Sequence, residues 1–292
     1  MLYDVTLKIT YEYDNPVDSG RHVICVKPAN LPGEQLVVAA TLDIHPKPAE
    51  RIERLDFFGN ACTEIVFDKP VSDTLFRMKA RVDRFLPEPL LDVSPNSAGL
   101  LREIASIRSV DPLAPHHFRF GSPRVSADAI TTDWAKRIAG NASSVFAAAN
   151  RICDSLHDEM TFDVEATVVD TPYLEAFQMR RGVCQDFTHI AIAALRGIGI
   201  PAGYVSGFLR TIPPHGVERL AGADAMHAWV RAWCGVDMGW VEFDPTNAML
   251  AGADHIVIAR GRDYFDVAPV SGAVRMSGAQ TTNQAVDVLP VR

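Results

Sequence analysis

The sequence predicts an α+β fold: an antiparallel β-sandwich at the N-terminus, followed by a core in which helices pack on a second antiparallel sheet. Three observations carry this. The first segment alternates apolar and polar side chains with a period of two, a proline-rich break lies near residue 90, and helical periodicity follows before short strands return.

In the stretch LYDVTLKITYEYD, residues 2–14, Tyr3, Val5, Leu7, Ile9, Tyr11 and Tyr13 alternate with Asp4, Thr6, Lys8, Thr10, Glu12 and Asp14. That is a strand with one wet face. Residues 74–84 repeat the pattern, with Phe76, Met78, Ala80 and Val82 opposite Arg77, Lys79, Arg81 and Asp83. Residues 20–28, 36–46 and 61–68 read as further strands, and Asp56-Phe57-Phe58-Gly59-Asn60 supplies hairpin turn chemistry. Short strands with frequent turns form sandwiches. The segment 86–96, LPEPLLDVSPN, reads as a linker, so the expected division is a β-sandwich over residues 1–90 and a core over 91–292 that ends in a C-terminal β segment.

Helices are expected at 97–109, 133–139, 144–160 and 184–198. In the last, Phe187, Ile190, Ala191, Ala194, Leu195 and Ile198 recur at helical spacing, so one face is expected to be buried. Strands follow at 202–210, 226–234, 239–244, 255–260 and 285–289.

The chain has 292 residues, 48% of them hydrophobic and 22% charged, with a formal net charge of −8. This is globular composition, and the acidic balance points away from nucleic acid as a partner. No window has the ~18 apolar residues of a membrane helix, and the N-terminus lacks the basic-then-apolar pattern of a signal peptide, so no membrane partner and a cytoplasmic location are expected. The cysteines Cys25, Cys62, Cys153, Cys184 and Cys234 form no CxxC or zinc spacing, and free thiols are expected. No cofactor or metal motif is present in the sequence; in particular no acidic loop resembles an EF-hand.

The chemistry concentrates around Cys184. In RRGVCQDFTHIAIAALRG, Gly182 offers a positive φ for a sharp turn, and Cys184 then falls at a helix N-terminus. Unpaired N–H groups and the positive end of the dipole there favour a thiolate and could hold an oxyanion. Asp186, in the same first turn, would partly offset that effect. A nucleophilic cysteine needs a base, and the base an orienting group. His189 points about 140° away around the helix and reads as a packed residue. The better base is His227. In MHAWVRAWCGVDMGWVEFDPTN, a strand running from His227 to Cys234 turns at 235–239 and returns as Trp240 to Asp244. A hairpin symmetric about that turn pairs Arg231 with Trp240, Trp229 with Glu242 and His227 with Asp244, with opposed residues on one face. One bulge would change the register. Trp229 and Trp233 project on the face of His227; Trp229 is a candidate substrate-binding residue, with core packing the alternative. The Gly/Pro-rich loop 211–225 reads as a surface connection or as a rim to the cleft.

The motifs GVCQDFTHIAIAALRGIGIPAGYVSGF, HAWVRAW and GWVEFDPTNAM resemble the bacterial transglutaminase-like family, candidate cysteine proteases of the papain-like superfamily. The N-terminal strand, the YDNPV turn, the DFFGN hairpin and the tail DHIVIARGRDYFDVAPVSG extend that resemblance to most of the chain. It implies a transglutaminase-like core with Cys184 as nucleophile, His227 as base and acid, and Asp244 as orienting group. The implied activity is acyl transfer from amide or isopeptide bonds of a peptide or protein through a thioester. Hydrolysis and transamidation both remain open, as does a non-catalytic binding module that keeps the fold.

Overall fold

The computed structural model describes residues 1–17, 20–85, 90–211, 222, 224–274 and 279–291. The N-terminal strands are β1 (Leu2–Val17), β2 (Gly20–Ile24), β3 (Gln35–His45), β4 (Glu50–Leu55), β5 (Ala61–Phe67) and β6 (Val71–Arg84). Then come α1 (Ser97–Ser106), a 3-10 turn at Pro115–Phe118, α2 (Ala129–Ala139), α3 (Val145–Glu159), β7 (Thr161–Phe162), α4 (Tyr173–Met179), β8 (Arg181–Gly182) and α5 (Cys184–Gly197). The last third holds β9 (Ala202–Leu209), β10 (Ala225–Trp233), β11 (Trp240–Asp244), β12 (Met249–Leu250), β13 (His255–Gly261), α6 (Tyr264–Val267), β14 (Val270–Val274) and β15 (Gln280–Pro290). Residues 86–89 of the expected linker, and 212–221 and 223 of the expected loop, lie outside the described residues.

Among the described residues the N-terminal half forms two sheets, ordered β15-β1-β6-β3 and β14-β2-β5-β4. The alternation read from sequence is realised: Tyr3, Val5, Leu7 and Ile9 on β1 are buried, as are Phe76, Met78, Ala80 and Val82 on β6. The C-terminal β segment, expected with the second half of the chain, pairs instead with the first. β15 lies along β1 from Tyr3↔Pro290 to Tyr13↔Gln280, and β14 pairs with β2. The free-thiol expectation fails at two positions. Cys25 and Cys62 directly follow and precede the paired residues Ile24 and Thr63, face each other across the ladder, and are joined as a disulfide with Cα atoms 4.4 Å apart.

The core sheet runs β12-β11-β10-β9-β13. α5 packs on β10 and β9 from one side and is covered by α2, α3 and α4 from the other. Its side chains from Gln185 to Leu195 are therefore all buried, where periodicity had indicated one face.

β13 is an edge strand of this sheet, and the sandwich seals its open side. Gln35 donates to the carbonyls of Ala29 and Val257 at 2.7 and 2.8 Å and accepts from Val257 N–H at 2.9 Å. Three residues further along β13, the Asn60 amide donates to Arg260 C=O and accepts from Arg260 N–H, both at 2.8 Å. Two side-chain amides thus stand in for a neighbouring strand. Glu34 pairs with Arg260, which also binds Glu242, so the seam carries charge as well. Gln35→Leu, which keeps the bulk and removes three buried hydrogen bonds, is expected to lower unfolding free energy by about 2–4 kcal/mol. Urea denaturation measures this; an unchanged midpoint would show that the amide contributes nothing to holding β13.

Candidate active site

The nucleophile position is built by the start of α5. Val183, its N-cap, is extended (φ −103°, ψ 176°), and the chain turns so that the Asp186 carboxylate accepts from Val183 N–H at 2.8 Å and from Thr167 Oγ at 2.6 Å. Asp186 sits in the helix's first turn and is buried, and burial pushes its carboxyl up despite both hydrogen bonds. Gly182 does not have the positive φ expected of it; the left-handed residue is Arg180, at φ 55°. A glycine is needed at 182 for another reason: a Cβ there would lie 2.5 Å from Asp186 Oδ2. Gln185 anchors the same turn by donating to Val169 C=O at 2.9 Å.

Of the three free thiols, Cys153 and Cys234 are buried and Cys184 is partly exposed. Burial pushes the Cys234 thiol up to about 12 and raises that of Cys153 too, which keeps both protonated and unreactive.

The β10–β11 hairpin pairs Val230 with Phe243, Arg231 with Glu242, Ala232 with Val241 and Trp233 with Trp240. The register is two residues away from the symmetric one expected, because the chain runs straight through Trp233 before turning, with Cys234 N–H bonded to Gly239 C=O. Asp244 therefore does not stand directly opposite His227. A slip of two keeps every side chain on its face, however, and Asp244 reaches His227 along the diagonal: His227 Nε2 lies 2.7 Å from Asp244 Oδ2. The Cys184 side chain lies close enough to act on the His227 ring and raise its basicity. With Nε2 committed to Asp244, Nδ1 is the nitrogen left for the thiol. The structure thus brings Cys184, His227 and Asp244 together.

Of the two readings of Trp229, the structure realises core packing and not substrate contact. It is fully buried, packs with Ala29, Val205 and Val257, and donates from Nε1 to Glu242 at 2.7 Å. Its ring fills the space over Gly207, where a Cβ would come within 2.3 Å of the indole. It has no surface to offer a substrate; it supports His227, against whose ring it stacks at 6.0 Å. His189 is the packed residue expected: it is buried and accepts from Tyr264 N–H, and burial lowers its pKa to about 4.

Two residues at the site were not anticipated. Asn247 donates from its side chain to Asp244 Oδ2 at 2.7 Å, and His255 approaches the same oxygen at 3.1 Å. The Asp244 side chain is completely buried, and its other oxygen accepts from the N–H groups of Thr246 and Asn247 at 3.0 and 3.2 Å. Burial favours the protonated carboxyl, yet these donors outweigh it and hold Asp244 well below the ordinary carboxylate range. For His227, burial opposes the charge, but the hydrogen bonds and charges of Asp244 and Cys184 overcome it and raise the ring to about 10. The His227, Asp244 and His255 ligand atoms lie within 4.8 Å of one another, an arrangement of metal-ligating types. The donor chemistry fits a hydrogen-bond network better than a cation. Gly252 N–H donates to His255 Nδ1 at 3.1 Å, so His255 Nε2 carries the proton and has no lone pair to give.

The model of the transglutaminase-like superfamily matches residues 132–245, and that of the bacterial transglutaminase-like N-terminal region matches residues 3–83. The chain is 31% identical over 304 residues to an uncharacterized protein of Mycobacterium tuberculosis, across 99% of this chain and 92% of that one. It is 30% identical over 283 residues to an uncharacterized protein of Mycobacterium leprae, across 95% of each. Among solved structures, the "Putative Cysteine Protease from Cytophaga hutchinsonii" has the same fold, with a TM-score of 0.74, 22% identity, and coverage of 99% of this chain and 90% of its own.

The two shifts have opposite consequences with pH. His227 rises from 6.5 unfolded to about 10 folded, so the stability it contributes is complete below pH 6.5 and lost as pH climbs through 10. Asp244 is lowered from 3.8, so its contribution is present above that pH and lost as pH falls below it. The stability difference between wild type and His227→Gln is expected to be level from about pH 4 to 6.5 and to shrink steadily toward pH 10. Denaturation at a series of pH values tests this; a difference that grows above pH 6.5 contradicts the assignment.

Proposed function

This chain belongs to the transglutaminase-like superfamily, and on that footing we propose that it is a cysteine hydrolase of amide or isopeptide bonds in peptides or proteins, with Cys184, His227 and Asp244 as its triad. The observation that carries the reading is the chain of contacts from a partly exposed thiol at a helix N-terminus, through His227, to a buried carboxylate 2.7 Å beyond it.

The chemistry follows from that order. His227 Nδ1 takes the proton of the Cys184 thiol, and the Nε2–H bond to Asp244 stabilises the imidazolium that forms. The raised basicity of the ring supports this protonation state. The thiolate attacks the carbonyl carbon. The oxyanion that develops lies near the first N–H groups of α5, which have no acceptor within the helix. As the intermediate collapses the C–N bond breaks, the imidazolium proton passes to the departing amine, and the acyl group remains on sulfur as a thioester. Water, deprotonated by His227, attacks the thioester; the acid leaves and the thiol recovers its proton. An amine in place of water would give transamidation.

A library of peptide and isopeptide amides, assayed with and without added primary amine, tests the reading. Product acid regardless of amine is the expected result. Cys184→Ala is expected to abolish turnover, and the wild-type thioester should be trapped by mass spectrometry after acid quench. Asp244→Asn keeps the size and removes the charge; its kcat is expected to fall on the order of 10- to 1000-fold with the fold intact. Glu242→Gln should act mainly on stability, since Glu242 is the buried partner of Arg260 and Trp229. A folded Cys184→Ala variant with wild-type turnover would sink the triad, whereas no turnover in the wild type would leave the non-catalytic module standing.

A further inference from the structure

His255 opens β13, lies almost fully buried at 1% exposure, and belongs to none of the three elements, α5, β10 and β11, that carry the proposed triad. Its ring is held on both sides. Nδ1 accepts from Gly252 N–H at 3.1 Å, a backbone donor that cannot reverse its role, and Trp229 packs edge-on at 5.1 Å. The tautomer is therefore fixed, and Nε2–H donates to Asp244 Oδ2 at 3.1 Å. That oxygen is the one His227 uses.

We propose that His255 is a positioning residue: by donating to the oxygen shared with His227, it locks the rotation of the Asp244 carboxylate and draws off part of the charge that would otherwise act on the His227 ring. The proposal rests on the triad reading above. The charged and titratable groups that face His227 are Cys184 from α5, Asp244 from β11 and His255 from β13; Asp244 in turn acts on Cys153 of α3. None of the others shares the Asp244 oxygen with His227, although the uncharged Asn247 amide does. Removing the His255 donor should concentrate the carboxylate's charge on the remaining partners, so that His227 becomes more basic while its placement loosens.

Two variants separate the two bonds of His255. His255→Asn keeps an acceptor for Gly252 N–H but is too short to reach Asp244; His255→Gln is long enough to place an N–H near the original Nε2. In His255→Asn the His227 ring, followed by NMR titration and assigned by its loss in His227→Gln, is expected to titrate on the order of half to one pH unit higher. The kcat should fall on the order of 10-fold, with KM changed less than about twofold. His255→Gln should restore both toward wild type. The wild type alone gives a third reading: the ring nitrogen shifts of His255 should report the Nε2–H tautomer. An Nδ1–H tautomer overturns the inference, as does an unmoved His227 titration in folded His255→Asn, or a Gln variant as impaired as the Asn variant. Absence of amide turnover in the wild type would instead remove the triad reading, and the titration and tautomer would still decide how His255 acts on Asp244.

Discussion

The carboxylate of Asp244 is the interaction on which the centre of the core depends. A charge with no exposed surface is tolerated only if the hydrogen bonds it loses from water are replaced. Here five donors replace them: two histidine rings, a side-chain amide and two backbone N–H groups. They come from β10, from β13 and from the turn after β11. The strands must therefore arrive at fixed separations for the charge to be satisfied. Reactivity and packing have the same requirement at this point, and the Pro245-Thr246-Asn247 turn that looks like a simple strand stop supplies three of the five bonds.

How legible this was in the sequence depended on distance along the chain. Cys184 could be placed at a helix N-terminus because helix starts are written locally, in RGVCQD. The His227–Asp244 pairing survived an incorrect register, because strand side chains repeat every two residues and the error was two. The role of Gly182 was misread: a turn glycine and a glycine crowded by a carboxylate look alike in a sequence. Trp229 could not be assigned, because whether an aromatic on the histidine's face meets solvent is decided by Gly207 on another strand. His255 and Asn247 were in plain view, one at the head of the apolar run HIVIARG and the other closing FDPTN, but neither residue type announces which carboxylate it will serve. The Cys25–Cys62 bridge was hidden by an odd cysteine count and by a strand pairing between positions 37 residues apart. The amides of Gln35 and Asn60 reach partners 222 and 200 residues away, beyond any local pattern.

The two halves are joined at β13 more intimately than a linker would suggest. The strand that begins with His255 is held at Val257 by Gln35 and at Arg260 by Asn60, and the residue before it, Asp254, accepts from Tyr3 at 2.7 Å. The strand that the sandwich holds thus carries at its head the histidine that donates to Asp244. The N-terminal sandwich contributes no residue to the hydrogen bonds of Asp244, yet it holds the strand that supplies one of them.

The return of β15 to the flank of β1 has a consequence for how the molecule comes into being. On the ribosome β1 is made long before its partner β15. At roughly 5–20 residues per second, more than ten seconds separate them. Throughout that interval Tyr3 to Tyr13 offers an unoccupied hydrogen-bonding edge to whatever is nearby, including the same segment of another nascent chain. Closure of the sandwich along β1 must therefore wait for β15.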